Sequence, residues 1–160
     1  MDWLDKTLHE YEEKEKNRKV EADEAEKRFV AELENKRQQA TSALENINKT
    51  FSEIKEKLKR RKYPCDSKLG VYTNAQTGKQ YYNEAMLIVR KKLLAYGTDL
   101  SKTNSPYISF SECQGSDFLC LEINITENLQ PPNQENVPIK RITSDFVKEQ
   151  VETFIKNVFM

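Results

Sequence analysis

Apolar side chains recur along the first third of the chain at Leu4, Leu8, Tyr11, Ala22, Ala25, Phe29, Leu33, Ala40, Leu44, Ile47, Phe51, Ile54 and Leu58. The steps are threes, fours and their sums, the period of a helix with one continuous apolar face. Asp2 and Asp5 suit the positive end of such a helix, and the basic run from Lys55 to Lys62 suits its negative end. Pro64 disfavours helix at Tyr63. One long helix over 1–62 is therefore predicted.

The stripe is uneven. Ala40, Ile47 and Ile54 alternate with Leu44, Phe51 and Leu58 at heptad spacing, a usable coiled-coil seam. Between Ala22 and Leu33 the stripe steps by eleven, which relaxes a left-handed supercoil. Residues 12–19 place no apolar group on the stripe. There the helix is expected to rely on acid-to-base pairs four residues apart, among them Glu10–Lys14, Glu12–Lys16, Glu15–Lys19 and, further on, Glu24–Arg28. Each is worth only about 0.2–0.5 kcal/mol. Pairing with another helix is thus expected to be tight near Leu58 and loose toward Met1.

Three covers for the seam Ala40, Leu44, Ile47, Phe51, Ile54 and Leu58 are open. A second copy comes first, because closed homodimers are the commonest assembly. The protein's own following domain comes second, and a foreign helix third.

Beyond Tyr63 the pattern changes. Leu69–Thr73 and Lys79–Tyr82 read as two strands joined by a turn ending at Gly78. Asn83 is placed to cap a helix from Glu84 to about Tyr96, closed by Gly97. The apolar run Met86-Leu87-Ile88-Val89 also suits a buried strand. Tyr107–Cys113 and Phe118–Thr126 form the clearest hairpin. A two-residue turn at Gly115-Ser116 sets Phe110 opposite Leu121 and Ile108 opposite Ile123. Residues 128–138 read as loop, with a short edge strand over 137–142. Thr143-Ser144-Asp145 then opens a helix with the wide stripe Phe146, Val147, Val151, Phe154, Ile155, Val158 and Phe159. The predicted class is α+β: a long charged N-terminal helix, partly coiled coil, then a small antiparallel sheet with two packing helices.

Composition reinforces the division. Residues 1–62 hold 31 of the 52 charged residues and none of the four glycines or five prolines. The expected parts are a helical arm over 1–62 and a compact α+β domain over 63–160 that folds without the arm. The formal charge of zero argues against a whole-protein nucleic-acid or membrane-surface binder. No apolar run approaches the roughly 18–20 residues that span a bilayer. The start of the chain lacks the basic and apolar regions of a secretory signal. Cys65, Cys113 and Cys120 are an odd number, too sparse for a disulfide framework. A cytoplasmic protein is expected.

Candidate chemistry is thin. His9 is the lone histidine and stands far from any cysteine. Cys113 and Cys120 fall as diagonal neighbours on one sheet face, too far apart for an easy disulfide. Asp117 and Glu122 resemble half of a metal-nuclease strand, but Asn124 stands where such a site would carry lysine. No phosphate loop, nucleophile elbow or dinucleotide fingerprint is present. No catalytic, cofactor or metal residue is assigned.

The leading expectation is a non-enzymatic interaction or adaptor protein that pairs with itself through the long helix and binds a second, unidentified protein. The first alternative binds nucleic acid through Lys57, Lys59, Arg60, Arg61 and Lys62 of the segment Lys55–Lys62. Helix-terminal cations explain that cluster more simply, so nucleic acid is not expected as a partner. The second alternative is a small, nuclease-like enzyme without a recognisable motif.

Overall fold

A computed structural model describes residues 2–91, 105–113, 116–125 and 132–160. The first helix, α1, runs Asp2–Arg60 without a break. Five strands follow: β1 Cys65–Thr73, β2 Gln80–Val89, β3 Tyr107–Glu112, β4 Phe118–Asn124 and β5 Asn133–Pro138. A 3-10 turn over Ile139–Arg141 leads into α2, Ser144–Phe159. The strands form one antiparallel sheet in sequence order, β1-β2-β3-β4-β5. The α+β class read from the sequence is therefore the class observed. No helix among the described residues is long and apolar enough to cross a membrane.

Two compact units divide within α1, Met1–Asn35 and Lys36–Met160. The second unit thus begins 27 residues before the boundary read at Tyr63. The cause is the heptad stripe. Ala40, Leu44, Ile47 and Phe51 are at most 2% exposed, and Ile54 and Leu58 pack partly buried beside them. They share one core with Leu87 and Val89 of β2, Ile108 and Phe110 of β3, Leu119 and Leu121 of β4, and Val147, Val151 and Phe154 of α2. The Phe51 and Phe110 rings lie 6.3 Å apart. Of the three covers open to this stripe, the chain's own sheet and α2 are the ones observed. Four of the six residues of the expected dimer seam are thus already removed from water and Ile54 and Leu58 are partly so, which leaves this stripe little to offer a second copy.

α1 ends before Pro64 can act on it. The amide of Tyr63 donates to the Leu58 carbonyl at 3.0 Å and that of Lys62 to the Lys59 carbonyl at 2.9 Å. Lys62 sits at φ +65°. This bond pair with a left-handed residue is a Schellman close, a position glycine normally fills. Lys62→Gly removes the Cβ penalty of that conformation. It is expected to stabilise the fold by up to about 1 kcal/mol, seen as a higher midpoint in urea.

The first hairpin closes as its turn residues dictate. Asn74 accepts the Gly78 amide on its carbonyl and the Gln76 amide on its side-chain oxygen, both at 2.8 Å, and Gly78 takes φ +71°. The second hairpin has the predicted register, Phe110 opposite Leu121 and Ile108 opposite Ile123. Gly115 of its turn lies outside the described residues.

Two elements differ from the sequence reading. The helix expected from Glu84 is strand β2 as far as Val89, and residues 92–96 of that expectation lie outside the described residues. β2 pairs on both sides, with β1 and β3, and Leu87, Ile88 and Val89 are all at most 3% exposed. A centrally paired strand with both faces covered carries a continuous apolar run, so alternation was hidden there. Asn83 does not cap a helix. It occupies a bulge opposite the Gly70–Val71 step, where its side-chain oxygen fills the space a Cβ on Gly70 would need. At the far edge, β5 covers Asn133–Pro138 instead of 137–142. Its polar residues have little strand preference of their own and are held by pairing to β4. Only Val137 is buried. Proline is tolerated at this edge, where one side of the strand has no neighbour in the sheet.

α2 starts as predicted. Thr143 caps it, its Oγ1 accepting the Phe146 amide at 3.1 Å. Val147, Val151, Phe154 and Val158 are its buried face.

Candidate interaction surfaces

Residues 2–35 of the first unit are helix alone, and most of their large apolar side chains are exposed. Trp3 (67%), Tyr11 (62%) and Phe29 (66%) are the most exposed large ones, followed by Val30, Leu8, Val20 and Leu4. Leu4, Leu8, Tyr11 and Phe29 belong to the stripe read from the sequence. Trp3, Val20 and Val30 lie off it and have no part in that periodicity. Surface ion pairs run along this segment: Glu24 with Arg28 at 3.8 Å, as expected, His9 with Glu13 at 3.3 Å, and Glu15 with Arg18 at 3.6 Å. All of these are exposed or half-exposed and contribute little individually.

The basic cluster follows the closing turn of α1. Lys57, Lys59, Arg60, Arg61 and Lys62 are all exposed. Lys55 is engaged with Asp66 of β1 at 3.2 Å. These cations stand at the negative end of the helix, which accounts for them without a ligand. Of the six seam residues, in contrast, Ala40, Leu44, Ile47 and Phe51 are buried in the core and Ile54 and Leu58 are partly buried against it.

His9 and Glu13 are more than half exposed. Cys65, Cys113 and Cys120 are free thiols. Burial pushes the thiols of Cys65 and Cys120 above their usual range, despite Lys59 and Lys55 beside Cys65. Both stay protonated at neutral pH and are poor nucleophiles there. Glu122 accepts from the Gln134 side chain at 3.2 Å and from the Tyr107 hydroxyl, while Asp117 is exposed. No group of three or more metal-ligating side chains occurs among the described residues. A cleft of about 290 Å³ lies between α1 and the start of α2, lined by Asn46, Thr50, Thr143 and Val147 among others.

Tyr107 reports on the sheet face opposite the core. Burial first, then the charge and hydrogen bond of Glu122 and the charge of Glu84, push its hydroxyl up to about 12. Tyr72, donating to Glu112 at 3.2 Å, is raised for the same two reasons. A raised folded-state value means the folded form holds its proton longer than the unfolded chain. The associated stability is intact below about pH 10 and is lost as pH climbs toward 12. The urea midpoint of the wild type should fall across that window. In Tyr107→Phe the fall should be shallower, and an unchanged slope would show that Tyr107 does not carry it.

No protein family, curated protein or solved structure matches this chain.

Proposed function

We propose that this is a non-catalytic interaction protein, an adaptor whose folded body is the unit Lys36–Met160 and whose binding element is the first half of α1. One observation carries this reading: large apolar side chains stand exposed in a row on a helical segment that has no packing within its own unit. A helix gains most of its stability in proteins by packing an amphipathic face. Covering a Leu or Phe is worth about 1.5–3 kcal/mol over leaving it in water. Leu4, Leu8, Tyr11 and Phe29 therefore form a coiled-coil seam for another helix. A second copy is the first partner, and a different protein bound to the folded body is the second. Three unpaired thiols fit a reducing, cytoplasmic setting.

Sedimentation equilibrium tests this directly. The full chain should be a dimer at about 10 µM, and a fragment over 36–160 should be a monomer at every concentration. These values are set by the micromolar range typical of short helix pairs. A full chain still monomeric at about 100 µM would remove self-association from the reading.

A further inference from the structure

We propose that residues 4–32 of α1 pair with the same segment of a second copy in an antiparallel coiled coil, with the two-fold axis passing between Lys16 and Asn17. This rests on the self-association proposed above and adds its direction and register.

The seam residues Leu4, Leu8, Tyr11, Glu15, Arg18, Ala22, Ala25 and Phe29 are spaced alternately by four and three, an unbroken heptad seam. Two of the eight are charged, and they are the two central ones. In a parallel pair each residue meets its own counterpart. Glu15 would then face Glu15, and Arg18 would face Arg18. Tyr11 would press on Tyr11 while Ala22 and Ala25 met only alanine, leaving the seam overfilled at one end and hollow at the other.

Reversing one helix resolves both faults together. About the stated axis, Glu15 faces Arg18 of the second copy, Tyr11 faces Ala22, Leu8 faces Ala25 and Leu4 faces Phe29. Each layer occurs twice by symmetry, as a closed dimer requires. Large residues meet small ones next to the centre. Glu15 and Arg18 already approach to 3.6 Å within one helix, the Glu15 side chain 35% exposed and that of Arg18 78%. The second copy completes a ring of four alternating charges around the axis.

The flanking positions agree. Antiparallel pairing brings Glu12 near Lys19 and Lys14 near Glu21 of the second copy, whereas parallel pairing brings Lys14 near Lys19 and Glu21 near Glu26. Asp5 near Glu26 is the one unfavourable flank of the antiparallel form, and it lies at the ends, where screening by water is strongest. The length also fits. The segment falls within the unit Met1–Asn35, so the overlap ends before the buried stripe that starts at Ala40. Trp3, Val20 and Val30 remain off this seam.

The experiment uses the full chain and the variants Glu15→Arg, Arg18→Glu and the double exchange. Each single variant places like charges in both central layers, so its dimer dissociation constant should rise by about tenfold or more at low salt. The double exchange restores opposite charges and should return to within about threefold of wild type. A parallel dimer would also gather like charges in each single variant, so the exchanges test whether Glu15 and Arg18 lie in the seam, and the direction is read from a distance. As a second measurement, Lys6→Cys carries a spin label, with Cys113 and Cys120 replaced by serine. The rise of about 1.5 Å per residue puts the two labels near 35 Å apart in the antiparallel form and below about 20 Å in a parallel one. Inert single variants or the short distance would overturn the antiparallel geometry while leaving the dimer in place. A monomeric wild type would overturn the self-association beneath it and leave the seam to a foreign helix. An unchanged thermal melt of each variant shows that the folded body is intact.

Discussion

A fragment beginning at Tyr63 should lose the cooperative melt that a fragment beginning at Lys36 keeps. The shorter fragment contains all five strands and α2, and its pattern alone predicts an autonomous domain. The core it would have to form includes Ala40, Leu44, Ile47 and Phe51 of α1, all essentially free of solvent contact. Without them the inner face of the sheet, with Leu87, Ile108, Phe110 and Leu121, is open to water. Burying each of the three large α1 residues is worth about 1.5–3 kcal/mol. The total stability of a domain is only about 5–15 kcal/mol. Removing the helix takes away a comparable amount and also uncovers its partners. Circular dichroism and dye binding on the two fragments will distinguish the cases. The 63–160 fragment should melt without a transition and bind a hydrophobic dye, and the 36–160 fragment should do neither. A sharp melt for 63–160 would mean that α1 lies on a core already complete without it.

Phe51→Ala carries the next largest expected effect. The ring is fully buried and packs on Phe110 at 6.3 Å, at the junction of α1 with the centre of the sheet. Deleting a buried aromatic ring removes its transfer energy and leaves a cavity, together about 3–5 kcal/mol. The urea midpoint should drop accordingly, with the slope unchanged. Phe29→Ala makes the informative contrast, since that ring is 66% exposed. It should leave the melt of the folded body in place and weaken self-association instead. The two phenylalanines lie on one helix and one periodic stripe, yet they are expected to act on different equilibria. If Phe51→Ala yielded a stable monomer and Phe29→Ala changed nothing, the seam and the core would have to be exchanged.

That contrast locates the limit of what could be read from the residues. The spacing of Ala40, Leu44, Ile47, Phe51, Ile54 and Leu58 specifies a face of a helix and the need to cover it. It carries no information about the cover, because a second helix and a sheet both accept an apolar stripe. The basic residues after Lys55 were legible as a helix terminus, but the Schellman close at Lys62 was not. It uses a lysine in a backbone region where glycine is the usual signal. The exposed row on the first half of α1 was partly legible, through Leu4, Leu8, Tyr11 and Phe29. Trp3, Val20 and Val30 escaped because they break the period.

The sequence by itself determined the elements whose local preference and burial pattern agree: the long helix, the hairpin of β3 and β4 with its register, the turn at Asn74–Gly78, and α2. In each, every residue's own tendency points to the same structure. Tertiary structure alone decided the rest. β2 became a strand because neighbours on both sides pair with it, and β5 formed because β4 offered an edge. The second half of α1 became part of the core because the sheet's apolar face and the helix's apolar stripe lie within reach on one chain. Burying each against the other removes both from water.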